Sequence, residues 1–147
     1  MTPAIADGLR AKVRSEAGGL CAYCRSPEQL TGQTFEIDHI IPRAAGGATQ
    51  PDNLCLCCSA CNRFKAARTI GVDPVTMLQV PLFHPLRQIW SEHFEWRDSG
   101  ALVAGCTPIG RATVETLHMN RPAIVQLRRY WIALHLHPPT TDVRDQF

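Results

Sequence analysis

Two Cys-x-x-Cys pairs constrain the fold of this chain more than any other feature of its sequence. They are Cys21 with Cys24 and Cys58 with Cys61, and 33 residues separate one pair from the other. The turn within each pair aims two sulfurs at one point, so a pair can share one metal ion. Four thiolates complete a tetrahedral shell, and the sequence therefore predicts a structural Zn²⁺ site that holds the two ends of this segment together.

Two alternatives to this ligand set stay open. Cys55 and Cys58 also form a Cys-x-x-Cys pair, which would shift the second pair by three residues. All seven cysteines could instead be buried thiols that bind no metal. We favour Cys58 and Cys61 because Cys61 leads directly into Asn62 and a predicted helix. The other three cysteines are then interpreted as buried thiols: Cys55, Cys57 and Cys106.

The composition is that of a soluble globular protein with one domain. The chain has 147 residues, of which 45% are apolar and 19% charged. A chain of this length and composition can bury a hydrophobic core of its own. No apolar run approaches the roughly 18 residues of a membrane span, and residues 1–7 lack the pattern of a signal peptide. These absences predict a cytoplasmic protein without membrane association. An odd number of cysteines in such a chain favours metal binding over a disulfide framework.

The segment around the cysteine pairs is predicted to form a ββα unit after an N-terminal helix. Ile5, Leu9 and Val13 are spaced four apart, as on one face of an amphipathic helix. β-branched and aromatic residues favour strands, whereas Gly46-Gly47 marks a loop. The predicted elements are a helix over 5–17, a strand over 34–41, a loop over 43–51, a short strand over 52–57 and a helix over 58–67.

The rest of the chain is predicted to be an extension of mixed helix and strand. Prolines punctuate residues 72–86, which favours a segment that wraps over the surface. Thr107 followed by Pro108 is typical of a helix start. The predicted elements are a helix over 86–93, a hairpin of 94–97 and 101–104, a helix over 109–118, and a helix over 122–134 that buries Ile124, Leu127, Trp131 and Leu134. We therefore predict a single α+β domain over 1–147, with a core over 12–70, an extension over 75–137 and a frayed tail over 138–147.

Three side chains near the cysteine pairs suit the hydrolysis of a phosphodiester. Asp38 and His39 lie side by side on the predicted strand, and Asn62 lies in the first turn of the helix. Asp38 and Asn62 offer oxygen ligands to a hard divalent cation, and an imidazole can take a proton from water. Successive side chains of a regular strand point to opposite faces. Asp38 and His39 therefore flank one phosphate only if the strand end bends, which Pro42 permits.

These residues resemble the motif of the HNH endonuclease family, in the subgroup that carries a four-cysteine zinc. The matching pieces are Asp38-His39-Ile40-Ile41-Pro42, Gly46-Gly47, Asn53-Leu54 and Cys58-x-x-Cys61-Asn62-x-x-Lys65. The third motif position is Asn62 here rather than histidine, a substitution that the family tolerates. The tract over 83–131 is similar to the C-terminal extension of some bacterial HNH proteins, to which no chemistry is assigned.

The resemblance implies a ββα-metal fold, treble-clef-like around its zinc, and metal-dependent endonuclease activity on DNA. It implies that Asp38 and Asn62 bind one Mg²⁺ or Mn²⁺, and that His39 is the general base. Asn53 would hold the loop so that His39 is oriented. One strand is cut per active site and a 5′-phosphate remains, with double-stranded DNA as the expected substrate. Cutting both strands would need two copies or two passes, so a homodimer or a larger complex is a further expectation.

Basic residues near the motif are candidate phosphate contacts. The net charge of +2 is too small to indicate nucleic-acid binding by itself. The alternative interpretation of each basic cluster is a solvated helix face. The candidates next to the motif are Arg43, Arg63 and Lys65, and a second cluster comprises Arg121, Arg128 and Arg129. His84 and His93 could line the site, but packing or surface roles are expected for them.

Two other functions are compatible with the sequence. The chain could be a zinc-stapled nucleic-acid-binding or adaptor module without catalysis, which would bind with a steep salt dependence and cut nothing. The joint presence of Asp38, His39, Asn53 and Asn62 argues against this module, because a pure binder needs no such set. The chain could also be a nuclease that acts only within a larger complex, and the sequence does not separate this possibility from an endonuclease that is active alone.

Overall fold

A computed structural model describes residues 5–139, in which short helices and two-stranded antiparallel sheets alternate along the chain. The predicted tail beyond residue 139 lies outside the described residues. In chain order the elements are α1 (Asp7–Ala17), α2 (Glu28–Thr31), β1 (Glu36–His39), β2 (Leu54–Cys57), α3 (Ser59–Lys65), β3 (Ile70–Val72), β4 (Gln79–Pro81), α4 (Trp90–His93), β5 (Phe94–Arg97), β6 (Leu102–Gly105), α5 (Pro108–Thr116) and α6 (Pro122–Ala133). Within this range no helix is long and apolar enough to cross a membrane.

The hairpin of β1 and β2 separates two packing faces, because side chains alternate along each strand. Asp38 pairs with Cys55 across the hairpin, and His39 pairs with Leu54. The face of Leu54 packs on α1, where Ile5 and Val13 form a small buried cluster with it. The face of Asp38 is covered by α3. The predicted strand–loop–strand–helix order is confirmed, with shorter elements than predicted.

Helix α3 begins at the second cysteine pair. Cys58 is its N-cap residue, and its sulfur accepts a hydrogen bond from the Cys61 N–H at 3.4 Å. The helix ends at Lys65, and Ala66 follows with a φ of 49°. The first turn of α3 is therefore fixed by the same residues that form the predicted metal site.

Residues 72–86 were predicted to wrap over the surface, and residues 74–79 are indeed exposed, but the pairing of β3 and β4 as a hairpin was not predicted. Asp73 lies at the turn of this hairpin and is fully buried. Its carboxylate accepts two hydrogen bonds of 2.9 Å from the Arg111 guanidinium, as well as bonds from the Val75 N–H and the Thr76 hydroxyl. These bonds attach the hairpin to α5 and lower the pKa of Asp73.

The predicted helix over 86–93 forms only in its last four residues, as α4. The preceding residues are held by local side-chain bonds at His84. Its Nδ1 accepts from the Leu86 N–H at 3.2 Å, and its own N–H donates to the Gln88 side chain at 2.8 Å. Such bonds satisfy the backbone outside a helix and compete with helix formation.

In the C-terminal part, β5 and β6 pair and are followed by α5 and α6. Thr107 caps α5 as predicted, accepting from the Gly110 N–H at 3.0 Å. Two predicted burial states were wrong, because Leu134 is 66% exposed beyond the end of α6 and Cys106 is exposed. The burial of Ile124 and Trp131 is confirmed.

The C-terminal part shares a core with the cysteine-bearing turn. Trp90 donates its indole N–H to the Tyr23 carbonyl at 2.7 Å. Its ring packs against Phe94, with centroids 5.1 Å apart, and Phe94 packs against Phe83 at the same distance. One buried cluster therefore runs from the cysteines to these aromatic rings.

The chain remains packed as far as His137, the last residue of the predicted extension. His137 is 6% exposed, and its Nε2 donates to the Gly100 carbonyl at 3.0 Å. Gly100 has a φ of 105°, and a Cβ there would lie 2.5 Å from Pro138. A glycine is therefore required where the end of the described chain crosses the β5–β6 turn.

Candidate active site and metal centre

The sulfurs of the two cysteine pairs form one buried cluster. Those of Cys21, Cys24, Cys58 and Cys61 all lie within 4.8 Å of one another. The Cys24 and Cys58 sulfurs are 3.8 Å apart, and a tetrahedron with Zn–S bonds of about 2.3 Å has edges of about 3.8 Å. The spacing of the sulfurs therefore suits a metal ion with metal–sulfur bonds of about 2.3 Å.

Polar hydrogens around the cluster suit negatively charged sulfur. The Cys58 N–H lies 3.4 Å from the Cys21 sulfur, and the Ser26 hydroxyl lies 3.2 Å from the Cys24 sulfur. Burial raises the pKa of the Cys21 thiol well above its ordinary value. A bound cation would oppose this effect and favour the thiolate.

Cys55 belongs to a different environment. Its sulfur lies 3.9 Å from the Asp38 carboxylate, on the face of the hairpin that α3 covers. Among the described residues the metal-ligand cluster comprises the Cys58 and Cys61 pair and leaves Cys55 out. The alternative in which Cys55 and Cys58 form the second pair is therefore not the one that the structure adopts.

Asp38 lies at the interface between β1 and α3 and is 5% exposed. The Tyr23 hydroxyl donates to its carboxylate at 2.9 Å, and the Lys65 ammonium lies 3.2 Å from the same oxygen and 3.4 Å from the other. Burial raises the pKa of Asp38, although Lys65 and the Tyr23 hydrogen bond act in the opposite direction. Asp38 is thus a buried carboxylate held by a cation and a phenol.

Lys65 does not occupy the position expected of a phosphate contact. Its side chain is 2% exposed, and its ammonium also donates to the His39 carbonyl at 3.0 Å. Arg128 is another basic residue that was expected near phosphate, and it is fully buried against the Ala101 and Met119 carbonyls. Arg43 and Arg63 are exposed, as a phosphate contact requires.

His39 lies at the end of β1 and is partly exposed. Its Nε2 is 2.8 Å from the Thr49 hydroxyl, in the loop that follows the strand. Burial lowers the pKa of His39, and nearby Arg43 adds to this effect, whereas Asp38 opposes it. The strand pairing is regular through His39, so the side chains of His39 and Asp38 leave opposite faces of β1. The bend predicted at the strand end follows directly after His39, at residues 40–41.

Asn53 fixes the loop between His39 and β2. Its Oδ1 accepts from the Ile41 N–H at 2.8 Å, and its Nδ2 donates to the carbonyls of Ile41 and Ala48 at 3.0 and 2.9 Å. Gly47 must lack a side chain, because a Cβ there would lie 1.7 Å from the Ile41 carbonyl oxygen. All of these bonds are internal to the loop, so Asn53 orders the chain after His39.

Asn62, on α3, contacts Glu36, which was not among the predicted site residues. The Asn62 Nδ2 donates to the Glu36 carboxylate, and Glu36 is exposed. Glu36 and Asp38 lie two residues apart on β1 and therefore share one face. The two-residue period of the strand was a signal that could have identified Glu36 beforehand. Tyr23 was also missed, and its place inside a Cys-x-x-Cys turn gave no sign of its bond to Asp38.

A cleft of about 510 Å³ opens beside these residues. It lies between the end of the β1 segment and the C-terminal part of the chain. Its lining includes Ile40, Ile41, Lys65, Arg68, His84 and Arg87. His84 therefore reaches the neighbourhood of the site, whereas His93 is bonded to the Thr107 hydroxyl at 2.7 Å.

The arrangement places three oxygen-bearing side chains between β1 and α3 and one imidazole at the end of β1. Residues 21–68, which contain all of these groups, match the family model described as HNH endonuclease. A stretch of 64 residues is 41% identical to the CRISPR-associated endonuclease Cas9 of Corynebacterium diphtheriae. This stretch is 43% of the present chain, and it spans only 6% of that relative. Residues 21–68 of this chain are therefore a domain of the HNH endonuclease family.

Proposed function

We propose that this chain is a metal-dependent endonuclease that hydrolyses DNA phosphodiester bonds by a one-metal mechanism. The observation that supports it most is the position of His39, a partly exposed imidazole at the end of β1 within an HNH domain. In this proposal the four-cysteine cluster holds a structural Zn²⁺ in a treble-clef-like arrangement. The catalytic ion is Mg²⁺ or Mn²⁺, because the oxygen donors of Asp38 and Asn62 suit a hard cation.

His39 is the proposed general base. Its lowered pKa keeps the imidazole neutral at neutral pH. When Nε2–H donates to the Thr49 hydroxyl, the free lone pair lies on Nδ1. Nδ1 then takes a proton from the water whose oxygen attacks phosphorus, and the bond to the 3′ oxygen breaks. The 3′ oxygen leaves as a hydroxyl after taking a proton from solvent, and a 5′-phosphate remains.

Asp38 and Asn62 are the proposed ligand residues. A divalent ion held there would neutralise the charge that develops on the phosphate and on the leaving oxygen. Lys65 favours the ionised form of Asp38 and holds its carboxylate in place, and its bond to the His39 carbonyl also holds the backbone next to the base. Asn53 keeps the following loop in place, and exposed Arg43 and Arg63 are proposed to contact phosphates of double-stranded DNA.

One observation favours the second candidate function, a nucleic-acid-binding module without catalysis. Both oxygens of Asp38 already have a partner in Lys65, and one of them also accepts from Tyr23. Such contacts are also those of a carboxylate whose role is purely structural. The two functions differ in one measurable result, because the binding module cuts no DNA with any metal.

The test is a plasmid nicking assay with Mg²⁺ or Mn²⁺. We expect the wild type to convert supercoiled plasmid to the nicked form and a chelator to stop it. His39→Asn should lower the rate by about a hundredfold to ten-thousandfold, as removal of a general base does. The matched control is His135→Asn, at an exposed position whose φ of 60° asparagine tolerates.

The control should cut like the wild type. Equal cleavage by His39→Asn and the wild type would exclude His39 as the base. Salt-dependent DNA binding without cleavage under either metal would support the binding module instead.

A further inference from the structure

The proposed ligand residues carry little net charge in their observed environment. Asp38 contributes one negative charge, and the buried Lys65 ammonium beside it contributes one positive charge. The Asn62 carboxamide is neutral. The affinity of a site for a hard divalent cation depends strongly on the number of charged ligands. Asp38 and Asn62 alone therefore form a weak site for a divalent cation while Lys65 stays in place.

Glu36 supplies a negative charge that is not paired with a basic side chain within residues 5–139. Its carboxylate accepts a hydrogen bond from the neutral Asn62 amide. Glu36 is exposed, whereas Asp38 is 5% exposed, so Glu36 is the carboxylate that solvent and ions reach. It shares the face of Asp38 on β1, about 7 Å along the strand.

We propose that Glu36 is a further ligand residue of the divalent-ion site and supplies its net negative charge. The contact between the Asn62 Nδ2 and the Glu36 carboxylate also holds the Asn62 side chain next to Glu36 over β1. The ion would be bound at the exposed edge of the β1–α3 interface, with Asp38 behind it. This inference rests on the proposed function, because it concerns the same ion.

The test measures ion binding without any DNA or turnover. Zn²⁺-loaded protein is titrated with Mn²⁺, and free Mn²⁺ is followed by electron paramagnetic resonance. Glu36→Gln keeps the size of the side chain and its ability to bond Asn62, but removes the charge. We expect it to raise the Kd for Mn²⁺ at least about tenfold.

The matched control is Glu95→Gln, the same change at an exposed position on β5 that is paired with Arg97. It should leave the Kd within about twofold of the wild-type value, since it lies in a different hairpin. A second variant, Glu36→Gln with Asn62→Asp, returns one carboxylate to the same place. It should recover most of the lost affinity, which a purely structural role for Glu36 would not allow.

The outcomes separate the inference from the function on which it rests. An unchanged Kd in Glu36→Gln, with a wild type that binds Mn²⁺ and nicks plasmid, would overturn the role of Glu36 alone. Failure of the double variant to recover affinity would overturn the charge argument. A wild type that binds no Mn²⁺ would overturn both the inference and the one-metal mechanism.

Discussion

At the scale of single residues, the pairing of Asp38 with Lys65 is the contact on which the site depends. Lys65 lies three residues after Asn62, so both point from α3 toward β1. On β1, Glu36 and Asp38 lie two residues apart on the face that α3 covers. The result is two matched contacts, Asn62 with Glu36 at the exposed edge and Lys65 with Asp38 inside.

Lys65→Met is expected to lower the free energy of unfolding by about 3–5 kcal/mol at neutral pH, because it leaves the buried Asp38 carboxylate without its cation. The loss should shrink at acidic pH. Burial raises the pKa of Asp38 already, and without Lys65 the folded protein binds the proton more readily than the unfolded chain, so stability rises as pH falls. Urea unfolding of the variant and the wild type, at neutral and at acidic pH, measures the loss of unfolding free energy under each condition.

Lys12→Met is the matched control, because Lys12 is exposed and lies 4.0 Å from Glu16. Its effect should stay below about 1 kcal/mol at either pH. Similar small losses in both variants would show that the Asp38–Lys65 pair contributes little to the fold.

At the scale of elements, the four-cysteine cluster joins the first Cys-x-x-Cys turn to β2 and α3. Cys58 and Cys61 belong to the start of α3, and the Ala22 N–H donates to the Leu56 carbonyl of β2 at 2.8 Å. Strands of four residues and a helix of seven have little stability of their own. Binding of a metal to the cluster is thus expected to hold the elements that carry Asp38 and Asn62 together.

Cys61→Ser is expected to reduce bound zinc from about one ion per chain to a small fraction and to abolish the cooperative thermal transition. The matched control is Cys106→Ser, because Cys106 is exposed and outside the cluster. It should keep both the zinc and the melting temperature. Elemental analysis and circular dichroism measure the two properties. A Cys61→Ser protein with one zinc ion per chain and an unchanged melting temperature would show that the four-cysteine cluster does not hold a structural zinc.

At the scale of the whole molecule, the sequence predicts the motif-bearing part of the fold better than the rest. Its residues recur at spacings set by chemistry, such as the two residues between paired cysteines, so local pattern and structure agree there. The β3–β4 hairpin was missed because its three-residue strands are too short to show alternation, and because its anchor, Asp73 with Arg111, joins residues far apart in the chain.

The same limit applies to the candidate site. Asp38, Asn62 and Asn53 are readable from the motif, whereas the burial of Lys65 and Arg128 depends on which segments pack over them. Basic side chains on helices are usually exposed to solvent. Lys65 and Arg128 are buried instead, because other segments of the chain pack over them. The position of Glu36 beside Asn62 likewise exists only once α3 lies on β1.

The most direct test of the central claim, that His39 is the base of a metal-dependent nuclease, is the pH dependence of plasmid nicking. Single-turnover rates with saturating Mn²⁺ should rise about tenfold per pH unit in acid and level off below pH 6.5, because burial and Arg43 lower the pKa of His39 from that value and the neutral imidazole is the active form. His39→Asn should lose this rise together with most of the rate. A variant that keeps the wild-type pH profile would contradict the account.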